Sequence, residues 1–239
     1  MFKKNLENLK EHLQKKNIDL AVITDDDSLY YFTGYYDFLH MSFGRPTILL
    51  VPKDSKTLLI TPLIDAHLVN KNCPVDKITT WNDGVDNEWR EQLPKYIKQN
   101  LNVAIEKLKI SSLVLNYITS LLDENLLKNI TPTLDSIRMI KNKEELKIAK
   151  SAGKVAEAMM YAGKEAIGHD VPEYEVALAT SQAGTRKAAE ILKNEFEESD
   201  MSPLIHFLQI MASGKDLPKT HHRASTKLIK KGDPVFLCF

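Results

Sequence analysis

The chain contains little cysteine, no excess charge and no long apolar segment. Its 239 residues include two cysteines, Cys73 and Cys238, which excludes a disulfide-stabilised scaffold and is typical of a reducing compartment. Basic and acidic residues number 32 each, so net charge gives no reason to expect a nucleic-acid partner. No apolar run approaches the roughly 20 residues that cross a bilayer, and the N-terminus lacks a signal-peptide core. We expect a cytoplasmic protein with neither a nucleic-acid nor a membrane partner.

The sequence also lacks the short motifs of several common enzyme classes. It contains no glycine-rich phosphate loop ending in Gly-Lys-Ser/Thr, no His-Glu-x-x-His helix, no Gly-x-Ser-x-Gly turn and no cysteine pair at zinc-ligand spacing. Lysine and arginine are spread along the chain and are not clustered with aromatic residues, which argues against an RNA-binding module. Any chemistry must therefore be inferred from other residues.

Short apolar runs alternate with helical patterns over the first half of the chain. Strands are predicted at 19–24, 46–52, 57–61, 77–81 and 102–106, and helices at 2–13, 63–70, 88–99 and 111–122. The polar residues 53–56 connect the second and third strands and predict a β-hairpin. Strands that alternate with helices predict an α/β domain, which we assign to residues 1–132.

A different pattern begins after residue 132 and defines a second domain, 133–239. Asn142 followed by Glu145 has the spacing of a capping box and predicts the start of a long helix. Pro172 predicts the start of a second helix, with a break considered at Gly184. A strand is predicted over 205–211, and a loop follows it.

The wholly apolar run 234–239 is typical of a strand that is covered on both faces of a sheet. The sequence stops inside this run, and a terminal strand of this kind would leave a sheet edge open. We hypothesise that a further half-domain follows in the parent protein and that the chain is truncated. The alternative is that Phe239 ends a genuine edge strand.

Three stretches, in this order, resemble the creatinase and Xaa-Pro aminopeptidase superfamily. They are 45–52 with the strand after it, 137–146 with the helix after it, and the segment 213–233 that holds Ser-Gly, His-His-Arg and Gly-Asp. The resemblance covers essentially the whole chain. It implies an α/β fold in which a creatinase-like N-terminal domain (1–132) precedes the first half of a pita-bread catalytic domain (133–239).

In metallopeptidases of this superfamily, two divalent metals are bound by two Asp, one His and two Glu. The resemblance aligns the first Asp with Cys238, and the other four ligands would lie beyond Phe239. A thiol differs from a carboxylate in charge, softness and geometry, so the change favours the metal-free route of creatinase, with no cofactor. Manganese, cobalt or zinc is expected only for a peptidase. Cys238 is interpreted as a small buried hydrophobe, the alternative being a ligand of a soft metal.

Hydrolysis of a C–N bond without metal requires a proton shuttle, and imidazole suits this role at neutral pH. By resemblance the shuttle is His221, with His222 as the competing candidate; if they lay on a strand, they would face opposite sides. Arg223 could bind a substrate carboxylate, His206 could line the cleft, and His222 is assigned with them to substrate binding. The alternatives are a solvated loop for His221, His222 and Arg223, and a satisfied core histidine for His206.

The leading hypothesis is a C–N hydrolase that acts on a small amidino, amide or N-acyl compound and forms a homodimer. One alternative is an Xaa-Pro metallopeptidase that acts on dipeptides. Another is an inactive relative that serves as a binding or scaffold module. In each case we expect the 239-residue chain alone to be inactive, because half of the implied pocket is missing from it.

Overall fold

The computed structural model describes residues 1–36, 44–69, 71–82, 84, 88–193, 202–205, 210–219 and 221–239. It divides into two compact units, Met1–Lys141 and Asn142–Phe239. The division lies beyond residue 132, where the sequence pattern changes, because the helix at Thr131–Met139 packs Leu134 and Ile137 into the core of the first unit. Within the described residues, no helix is both long and apolar enough to cross a membrane.

The first unit is built on a six-stranded mixed sheet. Its strands are β1 (Leu20–Ile23), β2 (Ile48–Pro52), β3 (Leu58–Pro62), β4 (Lys77–Trp81), β5 (Val103–Ile105) and β6 (Leu127–Asn129). They are arranged in the order β4-β3-β2-β1-β5-β6. The β2–β3 and β1–β2 pairs are antiparallel and the other three pairs are parallel, which confirms the predicted hairpin and the α/β class.

Helices cover both faces of this sheet. They are α1 (Phe2–Lys15), α2 (Asp26–Thr33), α3 (Trp89–Tyr96), α4 (Ser112–Leu121) and α5 (Thr131–Met139), and a 3₁₀ turn at Leu63–Leu68 stands where a helix over 63–70 is predicted. In β1, Leu20 and Val22 face one core, and Ala21 and Ile23 face the other. Because both faces of the strand are buried, its sequence is continuously apolar rather than alternating.

The second unit pairs two long helices with a two-stranded antiparallel ribbon. The helices are α6 (Lys143–Ala166) and α7 (Glu173–Leu192), and the strands are β7 (Ile210–Ser213) and β8 (Val235–Cys238). The predicted capping box at the start of α6 is confirmed: the Glu145 amide donates to the Asn142 side chain at 2.9 Å, and the Asn142 amide donates to Glu145 Oε2 at 2.8 Å.

Helix α7 begins after Pro172, which is its N-cap, and continues without a break through Gly184. The prediction of a break at Gly184 is therefore wrong. A Cβ atom at this position would lie 2.7 Å from the Met159 side chain of α6. The glycine is needed for the close contact of the two helices and does not interrupt α7.

The apolar run at 234–239 is less buried than predicted. Strand β8 pairs with β7 in the register Ile210↔Cys238 to Ser213↔Val235. Val235 and Leu237 are half-buried on one face, whereas Phe236 is 49% exposed and Cys238 is exposed on the other. The expectation of cover on both faces is wrong for this chain. Strand β7 begins at Ile210, and residues 206–209 of the predicted strand lie outside the described residues.

We expect Asn142→Ala to destabilise the first turn of α6 by about 1 kcal/mol, because it removes the acceptor for the Glu145 amide. In hydrogen exchange, the amides of this turn should exchange about fivefold faster than in the parent chain. Lys150→Ala, an exposed change within the same helix, is the control and should leave these rates unaltered. Equal exchange in Asn142→Ala and the control would contradict a stabilising cap.

Candidate functional site

The segment that carries His221, His222 and Arg223 follows one edge of β7 outside any regular strand. His221 is exposed and has a left-handed backbone with φ of +60°. The His222 amide donates to the Lys219 carbonyl at 3.2 Å, and the His222 carbonyl accepts from the Met211 amide at 3.1 Å. Because the two histidines are not on a strand, strand geometry does not place them on opposite faces.

Strand β7 lies between this segment and β8. The Gly214 amide, just after β7, donates to the Pro234 carbonyl just before β8, whereas the Met211 amide points the other way, to His222. Cys238, on β8, is paired with Ile210 of β7. The His222 backbone and Cys238 are therefore on opposite edges of β7, separated by two strand spacings, or roughly 10 Å.

The group that organises this region is Glu173, which is not among the site residues predicted from the sequence. Its side chain is fully buried at the first position of α7. Oε1 accepts from the Ser213 amide at 2.9 Å and from Ser213 Oγ at 2.7 Å. Oε2 accepts from the Ser225 amide at 3.2 Å, from Ser225 Oγ at 2.6 Å and from His222 Nε2 at 3.4 Å. One carboxylate thus joins α7, the end of β7 and the loop that carries His222.

Burial and hydrogen bonding act in opposite directions on Glu173. Burial taken alone would raise the pKa of this carboxyl, but donation from Ser225, Ser213 and His222 outweighs it and holds the pKa below the ordinary value of 4.5. The N-terminus of α7 also favours a negative charge at this position. Glu173 is therefore ionised at neutral pH, and both of its oxygens can accept the hydrogen bonds that reach it.

A second ionic cluster fixes the loop that follows β7. Lys227 Nζ donates to the Ser213 carbonyl and to Asp216 Oδ2, the latter at 2.9 Å, and Lys219 Nζ lies 2.6 Å from Asp216 Oδ1. Hydrogen bonds from Lys219 and then Lys227 lower the pKa of Asp216 strongly. The turn between Ser213 and Lys219 is thereby attached through Ser213, which also donates to the Glu173 carboxylate.

The other candidate residues are placed as follows. Arg223 is exposed next to His222, and His206 lies outside the described residues. Cys238 is exposed, so its interpretation as a buried hydrophobe is wrong: it lies on the face of β8 opposite Leu237, which packs against Gly163. In the described part of the chain, no three His, Cys, Asp or Glu side chains converge as a metal site. These residues alone do not fit the two-metal set that the resemblance implies for peptidases.

Comparisons with known proteins agree with this architecture. The family model described as the creatinase/prolidase N-terminal domain matches residues 5–140. A creatinase from a Bacillus species is 26% identical, over 97% of this chain and 54% of its own length. An Xaa-Pro dipeptidase from Pyrococcus furiosus is 26% identical, over 99% of this chain and 60% of its own length.

Solved structures extend the similarity to the fold of nearly the whole chain. A prolidase from Thermococcus sibiricus superposes with a TM-score of 0.76 at 22% identity, covering 99% of this chain and 60% of the prolidase. The creatinase-like and pita-bread architecture is thus the fold of this chain. The chain spans about half to three fifths of the length of these relatives.

We expect Cys238 to react with a thiol reagent at least ~10-fold faster than Cys73 in the 239-residue chain. Cys238 is exposed, whereas Cys73 is half-buried and burial raises the pKa of its thiol. The rates are measured by absorbance with an aromatic disulfide, and Cys73→Ser and Cys238→Ser assign the two phases. A slow phase for Cys238 would contradict its exposed position on β8.

We expect Glu173→Gln to lower the free energy of unfolding by about 2–4 kcal/mol at neutral pH. The side-chain NH₂ group of glutamine replaces one acceptor oxygen, so it would face hydrogen-bond donors of Ser213 or Ser225 that it cannot accept from. In the parent chain, the stabilisation from the ionised carboxylate is complete above pH 4.5 and is lost as pH falls through the lower folded-state pKa. The difference between the two proteins should therefore shrink below pH 4.5. Urea denaturation at several pH values measures it, and a constant difference would argue against this role of the charge.

Proposed function

This chain belongs to the creatinase/prolidase family through its N-terminal domain, and from that premise we propose that the protein hydrolyses a C–N bond in a small amidino, amide or N-acyl compound. In this proposal the reaction is independent of metal, and His221 moves the protons. Relatives named creatinase and Xaa-Pro dipeptidase, each about a quarter identical over nearly the whole chain, support a hydrolase.

The observation that carries the metal-free version is Cys238. By resemblance, this position holds a carboxylate ligand in metallopeptidases, and a neutral thiol cannot provide the hard, charged oxygens that such a metal pair prefers. The strand β8 nevertheless keeps its pairing with β7. The residue at position 238 therefore differs from the carboxylate ligand of the metallopeptidases, whereas the strand β8 that carries it is retained.

His221 suits the part of a proton shuttle. In the proposed step, the oxygen of water bonds to the substrate carbon while the imidazole takes the water proton. The C–N bond then breaks, and the same proton passes to the departing nitrogen, so the imidazole ends as it began. The exposure of His221 leaves its ring accessible to a substrate. Arg223, two residues further along, is the proposed contact for a substrate carboxylate.

An Xaa-Pro metallopeptidase is the second candidate, because relatives with that name match this chain at the same identity as the creatinase does. It would require a metal site that tolerates Cys238 and that draws its remaining ligands from residues outside this chain. Manganese, cobalt or zinc would then be the cofactor. The two candidates differ in metal dependence and in product, which makes them separable.

The test measures urea or ammonia release from amidino and amide compounds, and proline release from Xaa-Pro dipeptides, by the complete protein that carries this chain. We expect amidino or amide turnover that persists after chelation with EDTA and dialysis. His221→Ala should lower kcat by 10²-fold or more, the usual contribution of a general acid–base. His169→Ala, which removes another exposed imidazole of the same unit, is the matched control and should retain activity.

Three results would contradict the proposal. Proline release that is abolished by EDTA and restored by manganese would replace it with the metallopeptidase. Turnover that is equal in His221→Ala and His169→Ala would remove His221 from the reaction. Absence of turnover on every substrate class, in a folded protein, would favour a binding or scaffold module.

A further inference from the structure

We infer that Glu173 is a positioning residue, whose buried carboxylate holds the His222–Ser225 loop against β7 and thereby fixes where His221 is presented. This inference rests on the proposed function, because it gives Glu173 a part in the same reaction. Glu173 does not reach the solvent, so it cannot itself touch a substrate. Its influence must pass through the groups that donate to it.

The carboxylate is the meeting point of three separate segments. Its two serine partners are 40 and 52 residues away in sequence, one at the end of β7 and one in the loop after His222. Each serine donates both its amide and its hydroxyl. Each pair of hydrogen bonds restrains the backbone and the side chain of one serine together, so the segment that carries it is held in position and in orientation.

The backbone around Glu173 continues this attachment on the other side of the loop. The Glu173 amide donates to the Lys227 carbonyl and the Tyr174 amide donates to the Ser225 carbonyl, each at 3.0 Å. The Met211 amide holds the His222 carbonyl. The loop is therefore bonded to α7 after His222 and to β7 at His222 itself.

His221 lies just before these attachments. Its left-handed backbone and exposed ring contrast with the next residue, whose side chain is only 19% exposed and is directed at Glu173. The position of His221 is thus limited by its neighbour His222, whose carbonyl is held by the Met211 amide and whose own amide donates to the Lys219 carbonyl. Loss of the carboxylate contacts would release His222 and Ser225 and let the His221 ring move from its place.

The experiment compares four variants of the complete protein: Glu173→Gln, Ser225→Ala, Ser225→Thr and Thr226→Ala. Glu173→Gln replaces one acceptor oxygen by a donor, and Ser225→Ala removes one hydroxyl donor. Ser225→Thr keeps a hydroxyl and tests rescue. Thr226→Ala removes a neighbouring exposed hydroxyl and is the matched control.

We expect kcat to fall 10- to 100-fold in Glu173→Gln and less in Ser225→Ala, with KM changed by less than about threefold, since the proton shuttle and not the substrate contact is displaced. Ser225→Thr and Thr226→Ala should stay close to the parent protein. A fall in Ser225→Thr equal to that in Ser225→Ala would overturn the inference. If Glu173→Gln does not fold, the Ser225 pair alone decides the outcome.

A second readout, independent of turnover, uses the same variants of the complete protein. Imidazole ¹⁵N spectra report the hydrogen bonding of His221 and His222, and hydrogen exchange reports the Met211 amide. We expect Ser225→Ala to shift the His222 signals and to speed exchange at Met211, while Thr226→Ala does neither.

The two readouts separate the inference from the proposed function. Unchanged spectra and unchanged Met211 exchange in both Ser225→Ala and Glu173→Gln would overturn the positioning role, whatever the activity. Altered spectra together with full activity in these variants and in His221→Ala would support the structural attachment and refute His221 as the shuttle. Altered spectra together with lost activity would support both.

Discussion

A carboxylate that is removed from water must recover its hydrogen bonds inside the protein, and the second unit of this chain is organised around one such group. Glu173, on α7, accepts from five donors on two other described segments, the end of β7 and the His222–Ser225 loop, and both segments are attached to α7 through that acceptor. The ribbon β7–β8 also contributes Met211, Val235 and Leu237 to a small apolar cluster with Val176 and Ile229. The loop with the candidate residues has a defined course because it is bonded to a charge that cannot be left unsatisfied.

The first unit also buries a glutamate, Glu106, which has fewer hydrogen-bond donors than Glu173 and a pKa that is shifted in the opposite direction. Glu106 lies at the end of β5, is 1% exposed, and accepts from Ser28 Oγ at 2.7 Å and more weakly from the Asp25 amide at 3.4 Å. Burial raises the pKa of Glu106, and the nearby Asp25 charge adds to the rise against the opposing Ser28 bond. The two carboxyls are both buried, but the pKa is raised in one and lowered in the other. The position of a buried carboxyl at the end of a helix or strand does not by itself determine whether its pKa is raised or lowered. The number and strength of its hydrogen-bond donors determine the direction of the shift.

The fold was largely predictable because its determinants are local. The apolar runs of β1, β2 and β3 and the Asn142–Glu145 spacing are legible in a few consecutive residues, and the structure agrees with both. The role of Glu173 was not predictable in that way, since a glutamate in the first turn of a helix is ordinarily a solvated charge. Its partners Ser213 and Ser225 are distant in sequence and of a common residue type. The exposure of Cys238 was also missed, because an apolar run does not reveal which of its faces is covered.

The contact between α6 and β8 has a consequence for how this chain can vary. At Gly163 the Leu237 side chain and the Thr180 methyl group occupy the space that a Cβ atom would take, and both are held there by the packing of β8 and α7. A larger residue at 163 would require the Leu237 side chain and the Thr180 methyl group to move. Positions 163 and 237 are thus expected to co-vary among relatives, with an alanine or larger residue at the first accompanied by a shorter side chain at the second.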